Sequence, residues 1–245
     1  MKYLILAALL PAAASPASAE GPAAALYSVK GGVQLKQPGG DWLPAPRAAE
    51  LIPGSALRTA RKASADVLYA DGTMVRLNED SEMELEDLRL SDDERSFSVK
   101  VLAGKFLFMA AKARHRFSRF AVRTPSAVCA VRGTDFAVIV GPEAAEIGLF
   151  DGALEVTAEG EPGILSPGQQ ATAAGGAVEI SPRFTKVMDA ERRRYEKLRS
   201  YVRKTREKLD KREDFLREHI GEREKKLDDF DRRREEKLGR EKKGE

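Results

Sequence analysis

The sequence has few of the residues on which catalysis and covalent cross-linking depend. Its 245 residues include one cysteine, two histidines and one tryptophan. A single cysteine cannot form an internal disulfide, and neither His115 nor His219 has the spacing that zinc sites use. The sequence contains no nucleophile elbow and no glycine-rich phosphate loop. Because catalysis requires paired groups in defined roles, we expect no enzymatic activity, cofactor or metal site.

Long apolar runs are also scarce, and the one present lies at the N-terminus. Residues 3–14 are apolar apart from one proline, follow Lys2, and precede an Ala-Ser-Ala sequence that ends at Ala19. This pattern is typical of a secretory signal peptide, and the run is too short to span a bilayer. We therefore expect residues 1–19 to be removed and the protein to be periplasmic or extracellular. No nucleic-acid partner is expected after export, and no membrane-spanning segment remains after cleavage.

Charge is distributed unevenly along the chain. Residues 186–245 contain 23 lysines and arginines and 17 aspartates and glutamates, whereas the preceding residues contain 19 and 22. The net charge of +3 therefore combines a body near −3 with a C-terminal segment near +6. The segment has no proline, and its leucines recur every 7 or 11 residues: Leu198, Leu209, Leu216, Leu227 and Leu238. Such spacing predicts a long charged helix over residues 186–243, either solitary or self-associating as a coiled coil.

Residues 25–180 show the two-residue alternation of β-strands, broken by glycine. Alternating apolar runs flank Asp71-Gly72, Ala103-Gly104 and Asp151-Gly152, and this arrangement predicts three hairpins. The region therefore predicts an all-β domain, as either a sandwich or a solenoid.

Two features of this domain have more than one interpretation. Cys129 lies in an apolar run, where a buried thiol is the ordinary case and a redox or cross-linking role the alternative. A basic cluster could contact an anion or envelope polymer, but it is more typical of a solvated loop and strand edge. The cluster consists of Lys112, Arg114, His115, Arg116, Arg119 and Arg123.

The most informative run is FAVRTPSAVCAVRGTDFAV, residues 120–138. Its alternation is interrupted first by a threonine and a proline and then by an Arg-Gly-Thr-Asp sequence. Glycine within a strand pattern suggests a bulge or a close approach of backbones. Buried charges are normally paired, so Arg132 is expected to form an ion pair with Asp135 or to hold the turn by donating hydrogen bonds to backbone carbonyls. We predict a structural motif formed by Thr124, Pro125, Arg132, Gly133, Thr134, Asp135 and Phe136.

These residues resemble the periplasmic domain of FecR-type proteins, whose pattern has V-x-T-P followed by V-R-G-T-x-F. Further segments match in the same order over residues 27–171: Trp42, Leu51, Gly54, Leu57, Thr59, Asp71, Gly72, Thr73, Leu102, Gly104, Asp151, Gly152, Gly168 and Gln169. The resemblance implies an all-β periplasmic domain without known catalysis. The signalling members of the family also carry a sigma-factor-binding segment and a transmembrane helix, which this sequence does not show.

The resemblance leads to two expectations about function. The first is an exported binding or scaffold module that recognises a protein or cell-envelope ligand, with the charged helix used for self-association or partner contact. The second is an envelope-signalling component that transmits the state of a ligand or partner.

Overall fold

The computed structural model describes most of the chain between the two termini. The described residues are 22–90, 95–111, 118–211, 215–216, 218–219, 221–222 and 225. The signal peptide predicted over residues 1–19 lies outside them, as do Leu227, Leu238 and residues 112–117 of the basic cluster.

Strands occupy most of the described part, and one helix follows them. The elements are β1 (Ala24–Lys30), β2 (Val33–Lys36), β3 (Leu43–Pro44), β4 (Ala56–Thr59), β5 (Ser64–Tyr69), β6 (Met74–Leu77), β7 (Ser81–Leu90), β8 (Arg95–Met109), β9 (Ser118–Arg123), β10 (Val128–Val131), β11 (Asp135–Val140), β12 (Ala145–Asp151), β13 (Leu154–Thr157), β14 (Gly163–Leu165), β15 (Gln170–Ala174), β16 (Ala177–Ser181) and α1 (Lys186–Lys211). The predicted fold class, mainly β with a charged C-terminal helix, is confirmed.

The strands form two sheets that share one long strand. Sheet A has the order β1-β5-β6-β8-β11-β12-β15-β16, and sheet B has the order β3-β2-β4-β7-β8-β9-β10-β13-β14. Strand β8 belongs to both, because residues 95–103 pair within sheet B and residues 104–109 within sheet A. All neighbouring strands are antiparallel except β8 and β9, which are parallel.

The two sheets pack face to face around a common apolar core. In β8, Phe106 and Phe108 enter this core, whereas Leu107 and Met109 point to the opposite face of sheet A. The ring of Phe108 stacks on Phe136 of β11 with 4.8 Å between centroids. Antiparallel pairing with face-to-face packing defines a sandwich, so the solenoid alternative does not apply.

Gly104 allows β8 to pass from one sheet to the other. Its φ of 100° is accessible mainly to glycine, and a Cβ there would lie 2.4 Å from Ser81 Cα. The hairpin predicted at Ala103-Gly104 is therefore wrong: the chain bends within a continuous strand. The alternating pattern on both sides is real, but it does not reveal whether the chain reverses.

The other two predicted hairpins have different outcomes. Asp71-Gly72 joins β5 and β6, which are neighbours in sheet A, so that hairpin is confirmed. Asp151-Gly152 instead connects β12 of sheet A to β13 of sheet B, and that hairpin is wrong. Here too a glycine with positive φ redirects the chain between the sheets.

Helix α1 forms a third layer on the outer face of sheet A. Its apolar residues recur every seven positions, as Met188, Tyr195 and Val202, and all three are buried. They share a cluster with side chains of sheet A and of the segment after α1: Ala25, Leu68, Met74, Leu107, Met109, Ala137 and Leu216. Leu198 and Leu209 pack against the same cluster. The part of the leucine stripe within α1 is therefore covered by this domain's own sheet.

Thr185 fixes the start of α1. Its Oγ1 accepts a hydrogen bond from the Met188 N–H at 3.2 Å, which is the arrangement of an N-cap. The same hydroxyl donates to Glu146 Oε2 at 3.0 Å, and the Thr185 N–H donates to Gln170 Oε1 at 2.9 Å. The first turn of the helix is thereby tied to β12 and β15.

Candidate functional site

The threonine and proline of the motif form a turn at the end of sheet B. Thr124 Oγ1 accepts hydrogen bonds from the N–H groups of Ser126 and Ala127 at 3.2 and 2.8 Å. The Thr124 N–H donates to the Ala127 carbonyl at 2.8 Å. These bonds close the connection between β9 and β10, so Thr124 and Pro125 set a local turn and lie away from α1.

The Arg-Gly-Thr-Asp sequence forms a corner between the sheets. It links β10 of sheet B to β11 of sheet A, and Gly133 has a φ of 66°. Thr134 is fully buried, and its carbonyl accepts from the Ala110 N–H at 3.1 Å. A Cβ on Gly152 would lie 2.6 Å from Thr134 Cγ2, so two sheet-to-sheet connections pack tightly together here. The tight packing is at Gly152, whereas the feature observed at Gly133 itself is its positive φ.

Asp135, the last polar residue of the corner, contacts the helix. Its Oδ2 accepts a hydrogen bond of 2.8 Å from the Tyr195 hydroxyl of α1. Arg132 is exposed, and within the described residues it forms no ion pair with Asp135. The expected pairing is therefore replaced by a bond between sheet and helix. The next residue, Phe136, is buried in the core between the sheets.

The Asp135–Tyr195 contact shifts the pKa values of both groups. Burial is the main cause that raises the pKa of Asp135, and the nearby Asp151 carboxylate adds to it. The hydrogen bond from Tyr195 and the positive charge of Arg206 act in the opposite direction without cancelling the rise. The pKa of Tyr195 is also raised, first by burial and then by its bond to Asp135. The contact is thus a partly dehydrated pair in which the hydroxyl donates.

Two further polar contacts hold α1 on sheet A. Arg206 donates from Nε to the Gly72 carbonyl at 2.9 Å and from Nη2 to the Met109 carbonyl at 2.7 Å. Glu191, buried in the first half of the helix, accepts from Asn78 Nδ2 at 3.0 Å and pairs with Arg194. Sequence reasoning missed these residues, because a charged residue on the inner face of a helix looks like any other member of a charge-rich segment.

A charged groove runs along the flank of α1 beside the corner. Two adjoining cavities of about 540 and 490 Å³ share Asp151, Tyr195, Glu196 and Arg199 among their lining residues. Acidic and basic side chains alternate there, and the described residues contain no group of three or more histidine, cysteine or acidic side chains that could hold a metal ion. The groove is therefore lined by charges of both signs and lies beside the Asp135–Tyr195 contact.

Two other predicted features can be located. Cys129 is fully buried in β10, as predicted, and burial raises the pKa of its thiol to about 12. In the basic cluster, Arg119 is exposed, and Arg123 pairs with Glu86 at 3.2 Å. Both side chains are exposed, as the solvated interpretation predicts, but the expected strand edge is wrong, because β9 pairs with β8 on one side and β10 on the other.

No helix within the described ranges is long and apolar enough to cross a membrane.

Fold and site together define a β-sandwich domain with a helix held on one of its sheets by a corner motif. Residues 55–155 match the model of the family described as FecR protein, which confirms the resemblance over this segment. The matched segment includes the whole corner motif but ends before α1 begins. The FecR family consists of envelope-associated proteins that are regulatory rather than catalytic.

Two solved structures resemble part of this chain. Two crystal structures of a protein from Parabacteroides distasonis ATCC 8503, provisionally described as an anti-sigma factor, are each 23% identical to this chain with a TM-score of 0.45. The match covers 52% of this chain and 59% of that chain. This likeness concerns the fold alone. The comparison with curated proteins gives no match.

Proposed function

We propose that this chain is an exported, non-catalytic signalling component of the cell envelope. In this function the FecR domain receives the state of a ligand or partner protein, and α1 passes that state on. The match of residues 55–155 to the FecR family supports a regulatory function. The same match favours a signalling function over the alternative, which is a passive scaffold.

One observation carries the proposal: the FecR motif is itself part of the contact that holds the helix. Asp135 lies in the matched segment, whereas Tyr195 lies beyond it, and the two are hydrogen-bonded at 2.8 Å. A partner that changed the corner between the sheets would therefore change the docking of α1. Coupling of this kind needs an element with two arrangements that both sites influence, and in this proposal α1 is that element, docked in one arrangement and released in the other.

The export part of the proposal depends on the apolar run at the N-terminus. Cleavage after Ala19 would leave a mature chain in which β1 begins a few residues from the new terminus. Cell fractionation and N-terminal sequencing test this directly. We expect Glu20 as the first residue of a periplasmic or secreted form, and a cytoplasmic full-length chain would contradict it.

Transcript profiling separates signalling from scaffolding. Deletion of the gene in its source organism should change a limited set of transcripts, and the wild-type chain should restore them. Tyr195→Phe should restore them incompletely, whereas Glu155→Gln, an exposed change on sheet B, should restore them fully. If deletion leaves transcripts unchanged while envelope partners are lost from affinity purifications, the scaffold alternative is correct.

For the partner, we propose only its kind, which is a protein or a cell-envelope ligand. We further propose that the chain can self-associate through its C-terminal helix. Within α1 the apolar stripe faces sheet A, so self-association would use the residues after Lys211 or the charged outer face. Sedimentation velocity at increasing concentration tests this, and a monomer at all concentrations would exclude a stable oligomer.

A further inference from the structure

The outer face of α1 carries a straight row of basic residues. At 3.6 residues per turn, six positions fall within about 60° of arc on the side opposite Met188, Tyr195 and Val202. We call this the basic row, and it consists of Lys186, Arg193, Lys197, Lys204, Lys208 and Lys211. All six side chains are exposed, and the row extends for about 37 Å at 1.5 Å per residue.

The charge of this row is not neutralised within the described part of the chain. Residues 186–211 contain eleven basic and five acidic residues, whereas residues 212–245 contain twelve of each. The positive charge of the C-terminal segment is therefore concentrated in α1. Asp189 forms an ion pair with Arg192 at 3.3 Å and not with Arg193, which lies four positions after it. Among the described residues, no member of the basic row takes part in an ion pair.

Docking on sheet A fixes the direction in which the basic row points. The helix is held at its start by Thr185 and in its second half by Arg206, and its apolar side is buried. It therefore cannot roll to bring that side outward. Val187 and Tyr201 lie on one flank of the row and are 46% and 37% exposed.

We propose that the basic row binds the surface of a bilayer that contains anionic phospholipids. Five of its six members are lysines, whose compact charges suit a fluid array of phosphates better than the planar, two-pronged recognition typical of arginine. Lysine is depleted in specific protein interfaces, and the row is straight and convex with no groove around it. An exposed tyrosine beside it matches the preference of that side chain for the membrane interface. The bound chain lies flat, with α1 between the bilayer and the sandwich.

This inference goes beyond signalling and does not depend on it. It gives the FecR domain a place and an orientation at a membrane surface, whatever partner the domain recognises. The signalling proposal is tested through transcripts and this one through vesicles, so either can fail alone.

Vesicle flotation tests the inference on the chain that lacks only the predicted signal peptide. Vesicles of phosphatidylcholine alone are compared with vesicles of equal parts phosphatidylcholine and phosphatidylglycerol. We expect binding only to the anionic vesicles, and loss of binding as salt is raised, because screening shortens the range of the attraction. Absence of binding to the anionic vesicles would overturn the proposal.

Two variants of equal net charge separate the basic row from general attraction. The first replaces three lysines of the row by glutamine: Lys197, Lys204 and Lys208. The control replaces three exposed lysines of the sandwich: Lys30, Lys62 and Lys100. Since each lysine near an anionic surface contributes about a fivefold gain in binding, the first variant should lose on the order of a hundredfold. The control should stay within a few-fold of the wild type.

Two further results would count against a specific membrane site. Equal losses in the two variants would show attraction by net charge alone. Retention on heparin or on an acidic protein, together with failure to float with anionic vesicles, would indicate a different polyanion as partner. Circular dichroism spectra and thermal melting of both variants verify that the fold is intact.

Discussion

Tyr195 of α1 donates a hydrogen bond of 2.8 Å to Asp135 of β11, and this bond joins the helix to the corner between the two sheets. Asp135 follows Gly133 and Thr134, which redirect the chain from sheet B to sheet A. The FecR motif therefore has two structural effects, since it connects the sheets and it anchors an element outside the matched segment.

Removal of the Tyr195 hydroxyl should weaken the docking of α1. In Tyr195→Phe the ring remains, but the Asp135 carboxylate loses its donor while staying partly buried. Hydrogen bonds to charged groups contribute about 1.5–3 kcal/mol, so we expect the free energy of unfolding to fall by about that amount. Urea denaturation measures the loss, and hydrogen exchange should show faster exchange of the α1 amides.

The matched control changes a tyrosine of the same helix that lies at the surface. Tyr201 is 37% exposed and packs against Tyr27 with 6.1 Å between ring centroids. Tyr201→Phe should cost less than Tyr195→Phe, because Tyr201 is more exposed and its hydroxyl bonds the neutral hydroxyl of Tyr27 and not a carboxylate. Equal losses in the two variants would argue against a special role for the bond to Asp135.

Stability should depend on pH through Asp135. Its pKa in the folded protein is raised by burial above the value of about 3.9 in the unfolded chain, so the folded state binds more protons between the two values. The stability that this group contributes is therefore largest in acid and falls as the pH rises through that window. Asp135→Asn cannot titrate, so its free energy of unfolding should rise relative to the wild type as the pH is raised from about 4 through that window. A pH-independent difference between the two proteins, from urea denaturation at several pH values, would refute this.

Much of the sandwich could be predicted from the sequence, because each strand has one face in the core and therefore alternates. The connections could not. Ala103-Gly104 and Asp151-Gly152 look like Asp71-Gly72, yet only the last joins neighbouring strands. Positive φ at glycine is needed both in a hairpin and where a strand changes sheet, so the local pattern is the same. The difference lies in long-range pairing.

Of the two residues that form the candidate site, only Asp135 could be predicted from the sequence. The motif around Asp135 stands out because polar residues interrupt an apolar strand. Its partner Tyr195 does not stand out in the sequence, since a single aromatic residue in an amphipathic helix is common and does not indicate a particular contact. The charge pattern of α1 predicted a helix, but it also allowed a coiled coil, because the apolar stripe has the same appearance whether a sheet or a second helix covers it.

Cys129 should be inert to thiol reagents in the folded protein. The side chain is fully buried, and burial raises the pKa of the thiol to about 12, so almost no thiolate exists near neutral pH. A chromogenic disulfide reagent should react at the rate of unfolding, and fully only in denaturant. Fast labelling of the native protein would restore the redox or cross-linking alternative. Cys129→Ala should be more stable than Cys129→Ser, which buries a hydroxyl without an assured partner.

Gly148 should be required for the close seating of α1. A Cβ at this position of β12 would lie 2.4 Å from Met188 Sδ, and Met188 is fully buried in the first turn of the helix. Overpacking typically costs about 1–3 kcal/mol, so Gly148→Ala should lower the free energy of unfolding by that amount. Gly141→Ala is the control, because its nearest neighbour would be the Ala144 carbonyl at 3.5 Å and its φ is not positive.

A double-mutant cycle shows whether that cost arises at the helix contact. Met188→Ala leaves a cavity and destabilises on its own, but it also removes the atoms that the new methyl group would meet. Combined with Gly148→Ala, it should cost less than the sum of the two single changes, which is a favourable coupling between residues in contact. Additive losses would mean that Gly148→Ala perturbs sheet A itself. The coupled result would show that α1 is seated on sheet A by the fit of one methionine over one glycine.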